Sequence, residues 1–286
     1  MPCPYKTAWQ LSCLRKYNCQ VEMNRFFLCH PDDDKSCGAC CGLYNYENFS
    51  RETITTALRF RTDLFRLMRP QDSALEKFRG VVAQADIRPK LLEDIYTCEF
   101  LGFIGESERK VGCLIHPMIT GGADLRDHAY YGAETCAEHR CTAYNYLTEA
   151  ESRPVIAATD DWYLYGLCIT DIDLVKGFYQ AVSELRFETL RPEAITENSA
   201  ALDVFRRYLA LKENWPYQRG KRRFGQYIFE KGSYRVADIN WESFGLKRPR
   251  EARILRSLGS EFKTVEEIQN ALGILRELIK VTAEAI

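Results

Sequence analysis

The stretch Cys37-Gly38-Ala39-Cys40-Cys41-Gly42 decides how this chain is read. Two residues between Cys37 and Cys40 let a pair of thiolates converge on one metal. The flanking glycines permit the tight backbone this needs. Adjacent side chains usually point apart, so Cys40 and Cys41 are poor joint ligands for one ion. Either one binds and the other packs, or each serves a different metal of a cluster. A closed site takes four ligands, and this knuckle supplies two or three. The remaining donors must come from further along the chain, where Cys98, Cys113, Cys136 and Cys141 are the candidates. Cys136 and Cys141 bracket Glu138 and His139, and that short segment can return two ligands. His116 lies three residues after Cys113.

The chain has 286 residues and twelve cysteines, and all but Cys168 lie between Cys3 and Cys141. This clustering in one half is what a metal or redox site produces in a reducing compartment, where disulfide frameworks are rare. Cys168, inside the apolar run Trp162 to Ile169, reads as a small core residue instead. Cys3, Cys13, Cys19 and Cys29 are enough for a second site, but their spacings match no metal motif.

The ordered set resembles the zinc- or iron-chelating cysteine-cluster family named for a Cys-x2-Cys-x2-Cys-Cys signature. CGACC at 37–41 carries the resemblance, supported by Cys98-Glu99-Phe100-Leu101, by Cys113-Leu114-Ile115-His116, and by Cys136 or Cys141 beside Arg140. The resemblance spans residues 29–145 and implies metal chelation. It departs at the first cysteine of the signature, where this chain has Asp34; either Asp34 is a ligand, or Cys29 substitutes, or one ligand is missing. The arginine-proline element expected before the last cysteine is absent before Cys136.

Other chemistries find little support. There is no GxGxxG, GxxxxGK[ST] or HExxH. The net charge is −1, so any nucleic-acid contact rests on a local patch. The dense one is Arg219, Lys221, Arg222 and Arg223, which Lys247, Arg248, Arg250, Arg253 and Arg256 extend. The N-terminal segment has no apolar core of export length, and Trp162 to Ile169 is far shorter than the roughly 20 residues of a bilayer span. A cytoplasmic protein with no membrane partner is the expectation.

The expected fold class is α+β. An irregular cysteine-rich metal-binding domain over 1–153 precedes a mainly helical domain with one hairpin over 154–286, the boundary set where Ser152-Arg153-Pro154 interrupts the periodicity. Helices are expected over 51–69, capped by Ser50, within 71–90, and after Asp173, Asn198 and Thr264. Trp162 to Ile169 fits a buried strand or a helix. Tyr227 to Val236 alternates like a hairpin. Thiolate ligation suits zinc or iron–sulfur clusters. Seven cysteines, Cys37, Cys40, Cys41, Cys98, Cys113, Cys136 and Cys141, exceed one zinc's four, which favours a [4Fe-4S] cluster in a protein with a redox or group-transfer role. The alternative is a zinc-stabilised interaction module, associated with nucleic acid through the basic patch.

Overall fold

The computed structural model describes residues 27–68, 72–105, 107–218, 227–230, 233–236 and 238–286. Cys3, Cys13, Cys19 and the basic run 219–223 lie outside them. Residues 27–50 are irregular except for a 3-10 turn, Ala39–Cys41. Helix α1 (Arg51–Met68) follows, and Ser50 caps it, its Oγ accepting from the Thr53 amide at 3.4 Å. Helix α2 (Asp72–Ala85) packs on α1. Strands β1 (Leu101–Ile104) and β2 (Lys110–Cys113) pair antiparallel with Leu101 opposite Cys113. A 3-10 turn, Arg126–His128, leads to α3 (Gly132–Glu138) and α4 (Thr142–Tyr146).

From there the chain is mainly helical: α5 (Glu149–Ala158), α6 (Trp162–Ile169), α7 (Ile172–Arg186), α8 (Glu193–Glu197) and α9 (Ser199–Asn214). The expected hairpin is present as β3 (Tyr227–Glu230) and β4 (Ser233–Val236). Helices α10 (Ala252–Ser257) and α11 (Val265–Ala285) close the chain. The fold is α+β in the coarse sense of many helices with two small antiparallel pairs.

Helix α5 runs through the expected boundary at residues 153 and 154, with Pro154 inside it and buried. A proline there forfeits one backbone hydrogen bond. The start signal outweighs that loss: Thr148 accepts from the Glu151 amide, and the Glu151 carboxylate accepts from the Thr148 amide, a complete capping box.

Helix α6 settles the ambiguity at Trp162 to Ile169. Asp161 starts it by accepting from the Tyr163 and Leu164 amides at 2.8 and 2.9 Å. Nearly every residue of it is buried, as a helix that is apolar all round must be. Trp162, Tyr163 and Leu167 pack with Leu43, Tyr44 and Leu58 of the cysteine-rich half, while Tyr165, Cys168 and Ile169 pack with α7 and α9. Burial of Leu43, Leu58, Leu167 and Ile169 contributes about 1.5–3 kcal/mol each. Gly166 lets Tyr44 approach closely enough for its hydroxyl to donate to the carbonyls of Trp162 (3.2 Å) and Tyr163 (3.0 Å). The two halves therefore share α6 as a common wall.

A buried charged group ties α1 to the segment before β1. Arg61, 4% exposed, donates to the Cys98 carbonyl at 3.1 Å, to the Tyr46 hydroxyl and to Asp86. Arg88 holds the same carboxylate through both its oxygens. Burial pushes the Asp86 carboxyl up, but hydrogen bonding to Arg88 and the charges of Arg61 and Arg88 prevail, leaving it well below the usual carboxylate range. A depressed folded pKa contributes stability above the unfolded value near 4, lost as pH falls through the acid range. Asp86→Asn is expected to flatten the acid limb of stability against pH. Its deficit against the parent, read by urea unfolding, should be largest above about pH 5 and close towards about pH 2; a deficit constant with pH would contradict this.

Among the described residues no helix is long and apolar enough to cross a membrane.

Candidate metal centre

The 3-10 turn at Ala39–Cys41 is the hub of the candidate site. It is closed by the Cys41 amide donating to the Gly38 carbonyl (3.1 Å) and the Gly42 amide to the Ala39 carbonyl (3.0 Å). Gly42 has φ +78°, and a Cβ there would lie 2.5 Å from the Tyr96 carbonyl oxygen and 2.8 Å from the Thr97 Cα. Only glycine meets both demands. The strand next to the hub fixes its position: Ser36 Oγ accepts from the Val111 amide (2.8 Å) and donates to its carbonyl (2.7 Å). Successive side chains of a 3-10 turn are about 120° apart, so Cys40 and Cys41 leave the hub in different directions.

On one side stand Cys29, Cys37, Cys40 and Cys141. The Cys37 amide donates to the Cys29 carbonyl at 2.9 Å. The Tyr144 hydroxyl donates to Cys29 Sγ at 3.6 Å, and the Tyr144 amide donates to the Cys141 carbonyl at 3.0 Å. Cys37 and Cys141 pack against the same large helical core. The interaction with Cys40, with help from the amides of Ala143 and Tyr144, lowers the Cys141 thiol below the usual thiol value, and the same interaction raises Cys40. Burial pushes Cys37 up to about 12 and raises Cys29.

On the other side stand Cys41, Cys98, Cys113 and Cys136. The Cys98 amide donates to the Cys41 carbonyl at 2.9 Å, and the Leu101 amide to the Cys98 carbonyl at 3.3 Å. Leu101 in turn faces Cys113 across the β1–β2 pair. Cys41, Cys98 and Cys113 all belong to the small core around Phe78, Phe100 and Ile115. Cys136, on α3, is exposed and lies near Cys113 and Cys41. Burial raises all four thiols, Cys98 to about 12 and Cys113 to about 11.

A guanidinium accompanies each group. Arg140 lowers Cys29, and Arg126, held by Asp124 at 2.6 Å, lowers Cys113 and Cys136. Such charges offset the negative charge that a thiolate set accumulates.

Of the expected ligands, Cys41 and Cys98 are joined by a backbone hydrogen bond, and Cys37 is joined in the same way to Cys29, the residue the sequence offered as a substitute. Asp34 is directed to Arg109 at 3.1 Å. Cys136 and Cys141, expected as one returning pair, are divided between the groups. Cys168 is buried in the helical core, with its thiol directed to the Leu209 carbonyl at 3.7 Å. The nine described cysteines are all free thiols. Among the described residues no three Cys, His, Asp or Glu side chains already form a group that would hold an ion. Protonated thiols gain nothing by closing on one point; a metal draws them in by replacing their protons. The donor set itself, cysteine sulfurs with adjacent cations and no disulfide among the described cysteines, fits zinc or an iron–sulfur cluster.

The basic extension is largely neutralised. Arg253 and Arg256 both reach Asp173, Arg250 lies beside Glu184 and Glu251, and Arg248 beside Asp238.

No family model matches the chain, and no curated protein or solved structure matches it.

Proposed function

We propose that this chain is a metal-binding protein that holds iron–sulfur in its cysteine-rich half and serves a redox or group-transfer role. The observation that supports this reading is the glycine-flanked turn that carries Cys40 and Cys41, with Cys98 tied to Cys41 and Cys29 to the adjacent Cys37 by backbone hydrogen bonds, all of them free thiols from separate stretches of chain. A lone buried cysteine has a packing explanation; such a set around one turn fits ligation better.

Iron–sulfur is preferred to a structural zinc staple for a physical reason. Zinc staples serve domains that lack a core, whereas this region has two cores of its own, around Leu58 and around Phe78. Cys40 and Cys136 also reach the surface, which suits electron exchange with a partner. A bound cluster supplies one-electron chemistry. The chain's contribution is to hold the thiols at the surface edge of a rigid frame and to offset their charge with Arg126 and Arg140.

The test is metal content after anaerobic purification of three variants. Cys37→Ser and Cys113→Ser should lose metal, whereas Cys168→Ser should keep the full parental amount. Equal content in all three and the parent would refute the ligand assignment.

A further inference from the structure

Away from the cysteines, α7 and α10 enclose a hollow that metal binding does not use. We propose that this hollow binds a small phosphate-bearing ligand through Arg250 and Arg253.

The cavity measures about 290 Å³, near the lower end of the range for small-molecule sites. Its walls come from α7, from α10 and from the stretch Arg248-Pro249-Arg250 ahead of α10. Small residues make the hollow: Gly177, Ala181 and Ala252, all buried, have no long side chain to fill it. Gly177 also lets α10 settle on α7. A Cβ there would lie 2.9 Å from Ile254 Cγ1 and 3.5 Å from Arg253 Cδ, so the Arg253 stem runs close over the α7 backbone.

Three arginines border this one cavity, Arg248, Arg250 and Arg253. Nearby carboxylates balance their charge but do not use up their hydrogen bonds. Glu251 is held by Arg276, at 2.8 and 3.3 Å through its two oxygens, and comes only within 3.9 Å of Arg250. Asp173 accepts from Arg256 at 2.9 Å, and Arg253 approaches its other oxygen with Nε, at 3.1 Å. Glu184 accepts from Gln180 at 2.8 Å and stays 3.7 Å from Arg250. Among the described residues Arg250 therefore makes no hydrogen bond within 3.5 Å, and Arg253 keeps both terminal nitrogens uncommitted.

A guanidinium is a planar fork that pairs bidentately with phosphate or carboxylate. Two forks over one hollow suit a phosphate group, whose three free oxygens serve both; a carboxylate has two. The side chains of Arg250 and Arg253 are 61% and 44% exposed, so their present ion pairs contribute little and yield to a ligand. Glu184, Asp173 and Asp238 interrupt the positive surface around the cavity. That favours a small ligand over an extended polyanion.

The test is calorimetric titration of the full chain with inorganic phosphate and with glycerol 3-phosphate, beside fluorescence anisotropy with a labelled single-stranded oligonucleotide. The variant is Arg250→Gln with Arg253→Gln; both positions are exposed, and circular dichroism verifies the fold. Arg66→Gln, an arginine 61% exposed on α1, controls for diffuse charge. At least one phosphate probe should bind once per chain, and the double variant should weaken it about tenfold or more, with the control unchanged. Tighter binding of glycerol 3-phosphate would support a phosphomonoester as the ligand; equal or weaker binding would support the phosphate group alone. No saturable binding at millimolar concentration, or equal weakening by the control, would overturn the proposal. So would an oligonucleotide that binds more tightly than either phosphate and is lost in the double variant, which would make this face a nucleic-acid contact.

Discussion

Lys212→Met is expected to lower the unfolding free energy by about 3–5 kcal/mol. Lys212, on α9, donates to Asp171 Oδ2 at 2.6 Å and to the Ser257 carbonyl at 2.5 Å. Asp171, at the start of α7, also accepts from the Leu174 amide (3.0 Å) and the Ser257 hydroxyl (2.9 Å). The two side chains are 7% and 4% exposed. One buried carboxylate thereby caps α7 and fastens α9 and α10. Methionine preserves the length of the lysine stem but leaves that carboxylate without its counter-charge. Adding Asp171→Asn should recover part of the loss, since asparagine still caps and carries no charge. Urea unfolding followed by tryptophan fluorescence reads both. A single-variant loss under about 1 kcal/mol would mean that the pair is not buried as described.

Gly42→Ala has the second largest expected effect. A left-handed backbone costs alanine about 1–2 kcal/mol. The new Cβ would also press on the Tyr96 carbonyl and Thr97 Cα, which as backbone cannot swing aside, adding about 1–3 kcal/mol. Gly121 is the control: its φ is +76° with nothing within 4 Å, so Gly121→Ala should bear the backbone cost alone. The shift at Gly42 would pull Cys41 from Cys98, whose amide it holds at 2.9 Å. Gly42→Ala should therefore also reduce bound metal, while Gly121→Ala retains it. Equal destabilisation by both would contradict the close approach.

Much of the fold is legible because period and caps agree. Ile54 and Leu58 lie one turn apart on α1, Ser50 precedes them, and the helix forms there. Where the sequence misleads, two local signals compete. Pro154 reads as a break, yet Thr148 and Glu151 start a helix that absorbs it. Asp173 reads as the cap of α7. Asp171 takes the role, and Asp173 is engaged by Arg253 and Arg256 of α10, a partnership no local pattern reveals. Trp162 to Ile169 has no period because both sides of the helix are buried.

The site divides in the same way. The divergence of Cys40 and Cys41 follows from adjacency and was legible. Which distant cysteine joins which neighbour was not, because it depends on the β1–β2 register and on the turn carrying Cys98. Cys29 and Asp34 were left as alternatives, because the link from Cys29 to Cys37 is a single backbone hydrogen bond across an aspartate-rich loop.

The most direct test of the central claim is to purify the chain anaerobically and measure its visible absorption together with iron, sulfide and zinc in the same sample. The account predicts a brown protein with iron and sulfide in about equal amounts, about four of each for a cubane cluster, whose colour fades with dithionite. A colourless chain without iron, whether or not it holds zinc, would contradict it.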